Sequence, residues 1–214
     1  MMSGVRTRTM TILCALACAG TLVGGCASSG STGSDQTAEA FAQQRAERLA
    51  RAQRLAERAE STDDLEKKLE HLREAVRLFD QHSAYWNNLG QALAESDDYA
   101  SAGEAFALAA QLDPTDPRPP YNHGALYVRR YYYQEALPFF ERALERDPNY
   151  LNAIRGMIHT RVVLREFDED LVDLLNRAVI LEHDERWLAY FQRQRVAVRA
   201  ELDRLEEVGG DAGA

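Results

Sequence analysis

The sequence predicts an all-α fold built from repeated helical hairpins. Small, aromatic and proline residues recur with a period of 34 residues. The matching pairs are Gly90 and Gly124, Ala102 and Ala136, Phe106 and Phe140, and Pro114 and Pro148. Each proline follows an aspartate and ends a helix, because its ring cannot continue the hydrogen-bond ladder. On both sides of these two periods, apolar residues continue at helical spacing.

With Ser83 as position 1, the two clear units are 83–116 and 117–150. Small residues at positions 8 and 20 let two helices approach closely, and rings at positions 17 and 24 fill the space around them. This pattern resembles the tetratricopeptide repeat (TPR), whose unit is a pair of antiparallel helices. The resemblance implies a right-handed TPR-type helical-hairpin solenoid and a function in binding rather than catalysis.

The second unit departs from the pattern at its front. Pro120 takes the place of Trp86, at a helix start where a missing N–H costs little. His123 takes the place of a core leucine. We interpret His123 as a core or interface residue in preference to a metal ligand, because no second His or Cys lies beside it at ligand spacing.

The repeats extend outward in weaker form. A degenerate unit is predicted at 49–82, whose first helix lies within 41–60, and a divergent repeat at 151–184. The divergent repeat requires one extra residue within 168–170 before Leu171, Leu175 and Ala178 fit the pattern. The run 182–185, Glu-His-Asp-Glu, has the composition of a metal site. As four consecutive residues it is better interpreted as a solvated loop.

A single helix is predicted at 185–207, followed by a disordered tail at 208–214. Its apolar stripe contains Trp187, Leu188, Phe191, Val198, Leu202 and Leu205. Because a stack of helix pairs exposes an apolar end, we expect this helix to cap the solenoid. A coiled-coil dimer seam is the alternative, although Arg195 interrupts its spacing.

The first 25 residues have the pattern of an export signal: two arginines, then a 17-residue apolar run, shorter than a membrane-spanning helix requires. The run ends in Leu22-Val-Gly-Gly-Cys26, which resembles the bacterial lipobox. The resemblance implies cleavage before Cys26, lipidation of Cys26, and a flexible tether at 26–40. The alternative is an ordinary cleavable signal with an incidental cysteine.

The residue after the cysteine, Ala27, indicates the destination by resemblance to proteobacterial lipoproteins. Alanine in place of aspartate favours the outer membrane, with the protein lipid-anchored and facing the periplasm. The outer face of the cytoplasmic membrane is the alternative. The mature chain would contain no cysteine other than Cys26, so no disulfide within it is possible.

Composition and motifs narrow the function further. Removing 1–25 leaves 23 basic and 34 acidic residues, a net charge of −11, which argues against nucleic-acid binding. No catalytic, phosphate-binding or metal-ligating motif occurs in the sequence. We therefore expect no enzyme activity, no metal and no cofactor.

The binding surface follows from the resemblance. In TPR proteins the first helix of each unit lines a concave face through positions 2, 5, 6, 9, 12 and 13. The candidate partner-binding residues taken from these positions are Asn87, Asn88, Gln91, Arg118, Tyr121, Asn122, Arg129 and Arg155. Asn88 and Asn122 occupy the same position in successive units. Such a row of carboxamides can hold a peptide backbone, and a simple preference for asparagine is an equal alternative.

Arg118, Arg129 and Arg155 add positive charge to this face of an acidic chain. They lead us to expect a partner with an acidic segment or a C-terminal carboxylate. The carboxylate clamp of some TPR proteins is not expected, because Gln53 and Glu57 replace its lysine and asparagine. We also expect Tyr131 and Tyr132 to form an exposed aromatic patch.

The leading interpretation is a membrane-anchored scaffold or adaptor that binds a protein or peptide in the cell envelope. One alternative is a self-associating structural protein of the envelope that uses the C-terminal helix. Another is a noncatalytic subunit of an envelope enzyme. The oligomeric state, the partner and the process served are left open by the sequence.

Overall fold

The protein is described by a computed structural model over residues 32–211, and these residues form nine α-helices and no strand. The helices are α1 (Thr32–Glu60), α2 (Leu65–Leu78), α3 (Ser83–Glu95), α4 (Tyr99–Leu112), α5 (Arg118–Arg129), α6 (Tyr133–Arg146), α7 (Leu151–Leu164), α8 (Glu169–Leu181) and α9 (Glu185–Asp211). The chain divides into two units, Met1–Phe41 and Ala42–Ala214. All the predicted repeats lie in the second unit. The predicted signal segment and Cys26 lie outside the described residues.

Consecutive helices of the second unit pack as hairpins. α3 contacts α4, α5 contacts α6, and α7 contacts α8, while the second helix of each hairpin contacts the first helix of the next. First helices also contact one another, α3 with α5 and α5 with α7. This is the arrangement that the 34-residue period predicts.

Aspartates fix where several helices begin. The carboxylate of Asp64 accepts the backbone N–H groups of Glu66 and Lys67, Asp98 accepts that of Ser101, and Asp168 accepts that of Leu171. Each bond satisfies an N–H group that a helix leaves free in its first turn.

The two Asp-Pro turns also close in the same way. Asp113 accepts the backbone N–H of Thr115 at 3.0 Å, and Asp147 accepts that of Asn149 at 2.9 Å. These side chains form equivalent turns between successive units, since a short carboxylate can bond the backbone two residues on. The Asp-Pro pairs seen in the sequence therefore form turns between successive units.

Within residues 32–211, three non-glycine residues adopt the left-handed backbone conformation, and they are spaced 34 residues apart. They are Asp97, Tyr131 and Arg165, with φ of 63°, 63° and 57°. Each lies in the turn between the two helices of its unit, where the chain must reverse within a few residues. No sequence signal indicated this backbone conformation, because glycine, the usual residue for a positive φ, is absent at these positions.

Phenylalanines packed against glycines form the centre of the hairpins. Phe106 and Phe140 are almost fully buried. A Cβ atom on Gly90 would lie 2.7 Å from the Phe106 ring, and a Cβ on Gly124 would lie 2.8 Å from the Phe140 ring. Gly156, on the next hairpin, leaves the same room for Phe140, at 2.7 Å. Position 8 is therefore small because a phenylalanine ring occupies the place of its side chain.

The buried apolar residues of the second unit form two clusters. One joins α1 to α5 and includes Ala52, Ala56, Ala59, Leu72 and Leu89. The other joins α6 to α9 and includes Ile154, Ile158, Leu175, Phe191 and Val198. Each helix buries its apolar face mainly against its neighbours, as in other repeat proteins.

Both terminal helices are longer than the sequence indicated. α1 begins at Thr32, inside the stretch 26–40 that was predicted as a tether, and α9 continues to Asp211, into the predicted tail. The added stretch of α1 contains alanine, glutamine and glutamate, which have high helix propensity, and Asp35 lies in its first turn. In α8, which begins at Glu169, Leu171, Leu175 and Ala178 are buried.

α9 packs on α8 and closes the apolar end of the solenoid. Phe191 and Val198 are at most 1% exposed. The central residues of the proposed dimer seam are thus buried within this chain, which favours the capping interpretation. Gln192 and Arg199 are exposed on the outer side and give α9 the polar surface that a terminal helix requires.

Candidate protein-binding surface

The candidate residues lie on α3, α5 and α7, the first helices of their hairpins. Because α3 contacts α5 and α5 contacts α7, equivalent positions on these helices share one face. We call it the inner face and define it by Asn87, Asn88, Gln91, Arg118, Tyr121, Asn122, Arg129 and Arg155. All eight residues lie on these three helices, but they differ in whether their polar groups are already bonded within the chain.

Asn87 and Asn122 are joined to each other. The Nδ2 of Asn122 donates to the Oδ1 of Asn87 at 2.8 Å, and Asn87 is only 3% exposed. The carboxamides therefore connect successive repeats, since the Asn87 oxygen is buried and needs a donor. The predicted row is offset by one position: Asn122 pairs with Asn87 and not with Asn88.

Asn88 and Gln91 line a cavity of about 160 Å³ formed by residues of α1, α2 and α3. The cavity also contains three charged side chains that the sequence analysis did not select, Glu60, Lys68 and Glu95. Lys68 pairs with Glu95 at 3.2 Å, and the Nδ2 of Asn88 lies 3.5 Å from the Oε1 of Glu60. This part of the inner face thus offers amide groups and both signs of charge to a partner.

Lys68 could have been found from the sequence. It stands at position 20 of the degenerate unit, where the two clear units have Ala102 and Ala136. A long cation at a position that elsewhere requires a small residue indicates that the side chain leaves the core. Glu60 and Glu95 carried no such signal, because carboxylates are common on exposed helix faces.

Arg118 is engaged within its own turn. Its guanidinium makes a bidentate pair with the largely buried carboxylate of Asp116, with distances of 2.7 to 3.0 Å. The hydrogen bonds that the guanidinium donates to Asp116 raise the pKa of Arg118. Asp116 also accepts the Arg118 backbone N–H at the start of α5. The pair therefore caps a helix and leaves little net charge for a partner.

Arg129 joins α5 to the turn of the preceding unit. It donates to the carbonyl of Ala94 at 2.9 Å and to the carboxylate of Asp97 at 3.2 Å. Its guanidinium carbon also lies 5.7 Å from the centre of the Tyr99 ring. This arginine therefore bridges repeats.

Arg155 forms the most buried ion pair of the inner face. Its guanidinium donates twice to Glu182, at 2.8 and 2.7 Å, and lies 5.0 Å from the centre of the Trp187 ring. Burial tends to raise the pKa of Glu182, but the backbone N–H of Asp184 and the Arg155 guanidinium lower it overall. Arg155 thus connects α7 to the turn before α9.

The three arginines that were expected to add positive charge to this face are each paired with a carboxylate of the same chain. These carboxylates would compete with an acidic partner for the same guanidinium groups. Tyr121 is also engaged, since its ring packs edge-on against Tyr150 at 5.6 Å. Burial raises the pKa of its hydroxyl. Among the eight candidates, Asn88 and Gln91 are the ones that line an open cavity.

His123 is an interface residue, as interpreted from the sequence. Its ring packs against Phe139, with centres 4.1 Å apart, and against Tyr127 at 5.6 Å. Burial, assisted by the nearby charge of Arg142, lowers the pKa of His123 to about 4. The imidazole is therefore neutral at physiological pH.

The run 182–185 is the turn between α8 and α9. Glu182 is 7% exposed and accepts the backbone N–H groups of His183 and Asp184, so it is not part of a solvated loop. Asp184 in turn accepts N–H groups at the start of α9. Within residues 32–211, no three His, Cys, Asp or Glu side chains are arranged to hold a metal ion.

Two parts of the chain match models of a known protein family. Residues 83–116 match one model of the tetratricopeptide repeat, and residues 121–150 match a second. The chain contains tetratricopeptide repeats. Repeats of this kind generally mediate protein–protein interaction and scaffolding, and their scaffold is typically noncatalytic. The repeat frame deduced from Ser83 agrees with the first match at both ends.

Solved TPR structures are similar to the chain. MamA from Desulfovibrio magneticus RS-1 superposes with a TM-score of 0.57 at 18% identity, covering 78% of this chain and 98% of that one. The Arabidopsis OM64 TPR domain gives 0.51 at 19% identity, covering 53% and 97%. At this identity the likeness shows the fold alone. The predicted all-α TPR-type solenoid is thereby confirmed.

Curated relatives share the repeats and are far longer. Superkiller complex protein 3 of Mus musculus is 30% identical over 141 residues, 66% of this chain and 9% of that protein. The UDP-N-acetylglucosamine–peptide N-acetylglucosaminyltransferase of Giardia intestinalis is 25% identical over 114 residues, 53% of this chain and 8% of that protein. The chain thus spans less than a tenth of the length of either relative.

Across the described residues, no helix combines the length and apolarity required to cross a bilayer.

Proposed function

We propose that this protein is a membrane-anchored TPR adaptor that binds a protein or peptide partner in the cell envelope. The observation that carries the binding role is the cavity beside α3, where Asn88 and Gln91 face open space on the inner face. The TPR matches support a binding role of this general kind. The anchoring and the location rest on the lipobox-like sequence ending at Cys26.

The chemistry of the inner face favours a partner segment recognised through its backbone. Carboxamides both donate and accept hydrogen bonds, so Asn88 and Gln91 can pair with peptide N–H and C=O groups. The arginines are already paired, which removes the main reason to require an acidic segment or a terminal carboxylate. An extended, uncharged peptide segment is the ligand that fits this face best.

Photocrosslinking in living cells tests the binding role. A photoreactive amino acid is placed at Gln91 of α3 or at Asn152 of α7, which are both exposed. The control position is Ala107, which is exposed on α4. The expected result is capture of the same protein from 91 and 152 and not from 107. Equal capture from all three positions, or none from 91 and 152, would show that the inner face is not the binding surface.

The anchor is tested separately with Cys26→Ser. Lipid attachment to Cys26 would be the modification that retains the protein on membranes. The variant is expected to lose incorporation of radiolabelled palmitate and to move to the soluble fraction. Cys18→Ser, within the same leader, is the matched control and is expected to remain on the membrane. If Cys26→Ser keeps both the label and the membrane association, the lipoprotein proposal is rejected.

A noncatalytic subunit of an envelope enzyme is a special case of this proposal. It is recognised by an enzyme that co-purifies with the protein and is lost from it when Asn88 and Gln91 are both changed to alanine. Co-purification that survives this double change would place the enzyme on another surface.

A further inference from the structure

A second cavity lies between α4 and α5, away from the inner face. Its volume is about 310 Å³, and its lining includes Gly103 and Glu104 of α4 and His123 and Tyr127 of α5. His123 follows Asn122 by one residue, which turns it by roughly 100° around the helix axis. The cavity is therefore a separate site from the proposed partner surface.

The wall of this cavity is aromatic and fixed in place. Tyr127 stacks on Phe139 with ring centres 5.2 Å apart, and His123 lies 4.1 Å from Phe139 on the same side. Gly103 lines the cavity beside His123 and packs directly on it, since a Cβ there would lie 3.2 Å from the His123 Nε2. Because the rings support one another, the cavity is preformed, and its size suits one large apolar side chain.

Arg130 provides a positive charge at this cavity. Its guanidinium carbon lies 5.3 Å from the centre of the Tyr99 ring and 4.9 Å from that of Tyr132. Two aromatic rings thus hold the guanidinium by cation–π contact and leave its N–H groups free to donate. Among the described residues, no carboxylate or carbonyl accepts from that guanidinium, in contrast to Arg118, Arg129 and Arg155.

We propose that the α4–α5 cavity binds an extended segment of a partner protein, with an aromatic side chain in the cavity and a neighbouring Asp or Glu on Arg130. Charge complementarity selects the acidic residue, because the Arg130 guanidinium has no carboxylate partner in the described chain and lies beside the aromatic lining of the cavity. Glu104, which forms no ion pair within the described chain, is available to accept a backbone N–H of the segment. Exposed Tyr131 and Tyr132 extend the contact area beyond the cavity.

The test uses capped synthetic peptides and the isotope-labelled full chain. Two octapeptides carry Glu-Phe or Phe-Glu at the centre of a Gly/Ser sequence, and matched versions carry Gln for Glu or Ala for Phe. Binding of at least one acidic peptide is expected to saturate and to shift the amide resonances of Gly103, Tyr127 and Arg130. The Gln and Ala peptides are expected to bind at least tenfold more weakly.

Three variants identify the site. Arg130→Gln is expected to weaken the acidic peptide at least tenfold and to remove its advantage over the Gln peptide. Gly103→Leu, which places a bulky side chain against His123 at the lining of the cavity, is expected to abolish the shifts. Arg193→Gln on α9, an exposed arginine whose guanidinium has no partner in the described chain, is the matched control and is expected to bind normally. Far-UV circular dichroism confirms that each variant is folded.

Other outcomes reject the proposal. They are the absence of saturable binding by either peptide, unchanged affinity of Arg130→Gln, or shifts concentrated at Asn88 and Gln91. A shift of the same amides by phosphatidylglycerol vesicles, with none from the peptides, would identify a lipid surface as the partner instead. Because the inner-face experiment uses other positions, either proposal can fail while the other holds.

Discussion

Replacing Gly90 with alanine should destabilise the protein although alanine is the better helix former. The new Cβ would lie 2.7 Å from both the Cδ1 and the Cε1 of Phe106 and 3.1 Å from its Cζ. Phe106 is 2% exposed and has no open space to move into. Overpacking of this kind costs about 1–3 kcal/mol, whereas the change from glycine to alanine within a helix returns about 1 kcal/mol.

Gly103→Ala separates the two effects. It also replaces a helical glycine, but its Cβ would meet a single close atom, the His123 Nε2 at 3.2 Å. The propensity gain is therefore similar and the steric cost smaller. We expect Gly90→Ala to be about 1–3 kcal/mol less stable than Gly103→Ala, in urea unfolding followed by circular dichroism.

The assignment to Phe106 is tested by a double-mutant cycle. Phe106→Leu shortens the side chain that the new methyl group meets, so it should cost less in the Gly90→Ala protein than in the wild type. The expected coupling is at least 0.5 kcal/mol. If Gly90→Ala matches or exceeds Gly103→Ala in stability, or if the two changes are additive, the steric explanation of position 8 is refuted.

Three further predictions concern the turns and the buried charges. Tyr131→Gly should stabilise the protein by about 1 kcal/mol, because φ is 63° there, whereas Tyr132→Gly, where φ is −88°, should not; both are measured by urea unfolding. Arg155→Met should destabilise the protein by about 3–5 kcal/mol because Glu182 loses its partner, and the double change Arg155→Met with Glu182→Gln should recover part of this loss. The check is the thermal midpoint, which should be lowest for Arg155→Met, higher for the double variant and highest for the wild type. His123 should titrate by NMR with a pKa of about 4, and a titration midpoint near 6.5 would contradict its burial. Because the pKa of His123 in the folded protein lies below 6.5, the stability of the protein should fall as the pH drops from 6.5 towards 4. His123→Phe should reduce this loss of stability.

The boundaries of the repeats could be predicted because they depend on interactions between residues close together in sequence. Proline, aspartate and glycine act on the backbone within a few residues, so Asp113 and Asp147 indicate their turns directly. The left-handed residues Asp97, Tyr131 and Arg165 could not be predicted, because none is glycine. Their conformation is set by packing of the two helices that each turn connects.

The chemistry of the candidate surface depends on contacts that the sequence did not show. The eight residues, chosen through the resemblance to TPR proteins, lie on α3, α5 and α7, which contact one another. Gly156 of α7, for example, accommodates Phe140 of the preceding hairpin through its lack of a side chain. Such contacts join residues far apart in sequence, so no local sequence pattern predicts them.

The sequence by itself predicted the repeated helical hairpins, the terminal capping helix and the placement of His123 in the core or at an interface. It did so because period, helix termination and apolar spacing follow from the backbone and from local propensity. Only the tertiary structure decided which charges are free. Arg118, Arg129 and Arg155 are paired while Arg130 is not, since pairing depends on which carboxylate or carbonyl the fold brings within hydrogen-bond distance.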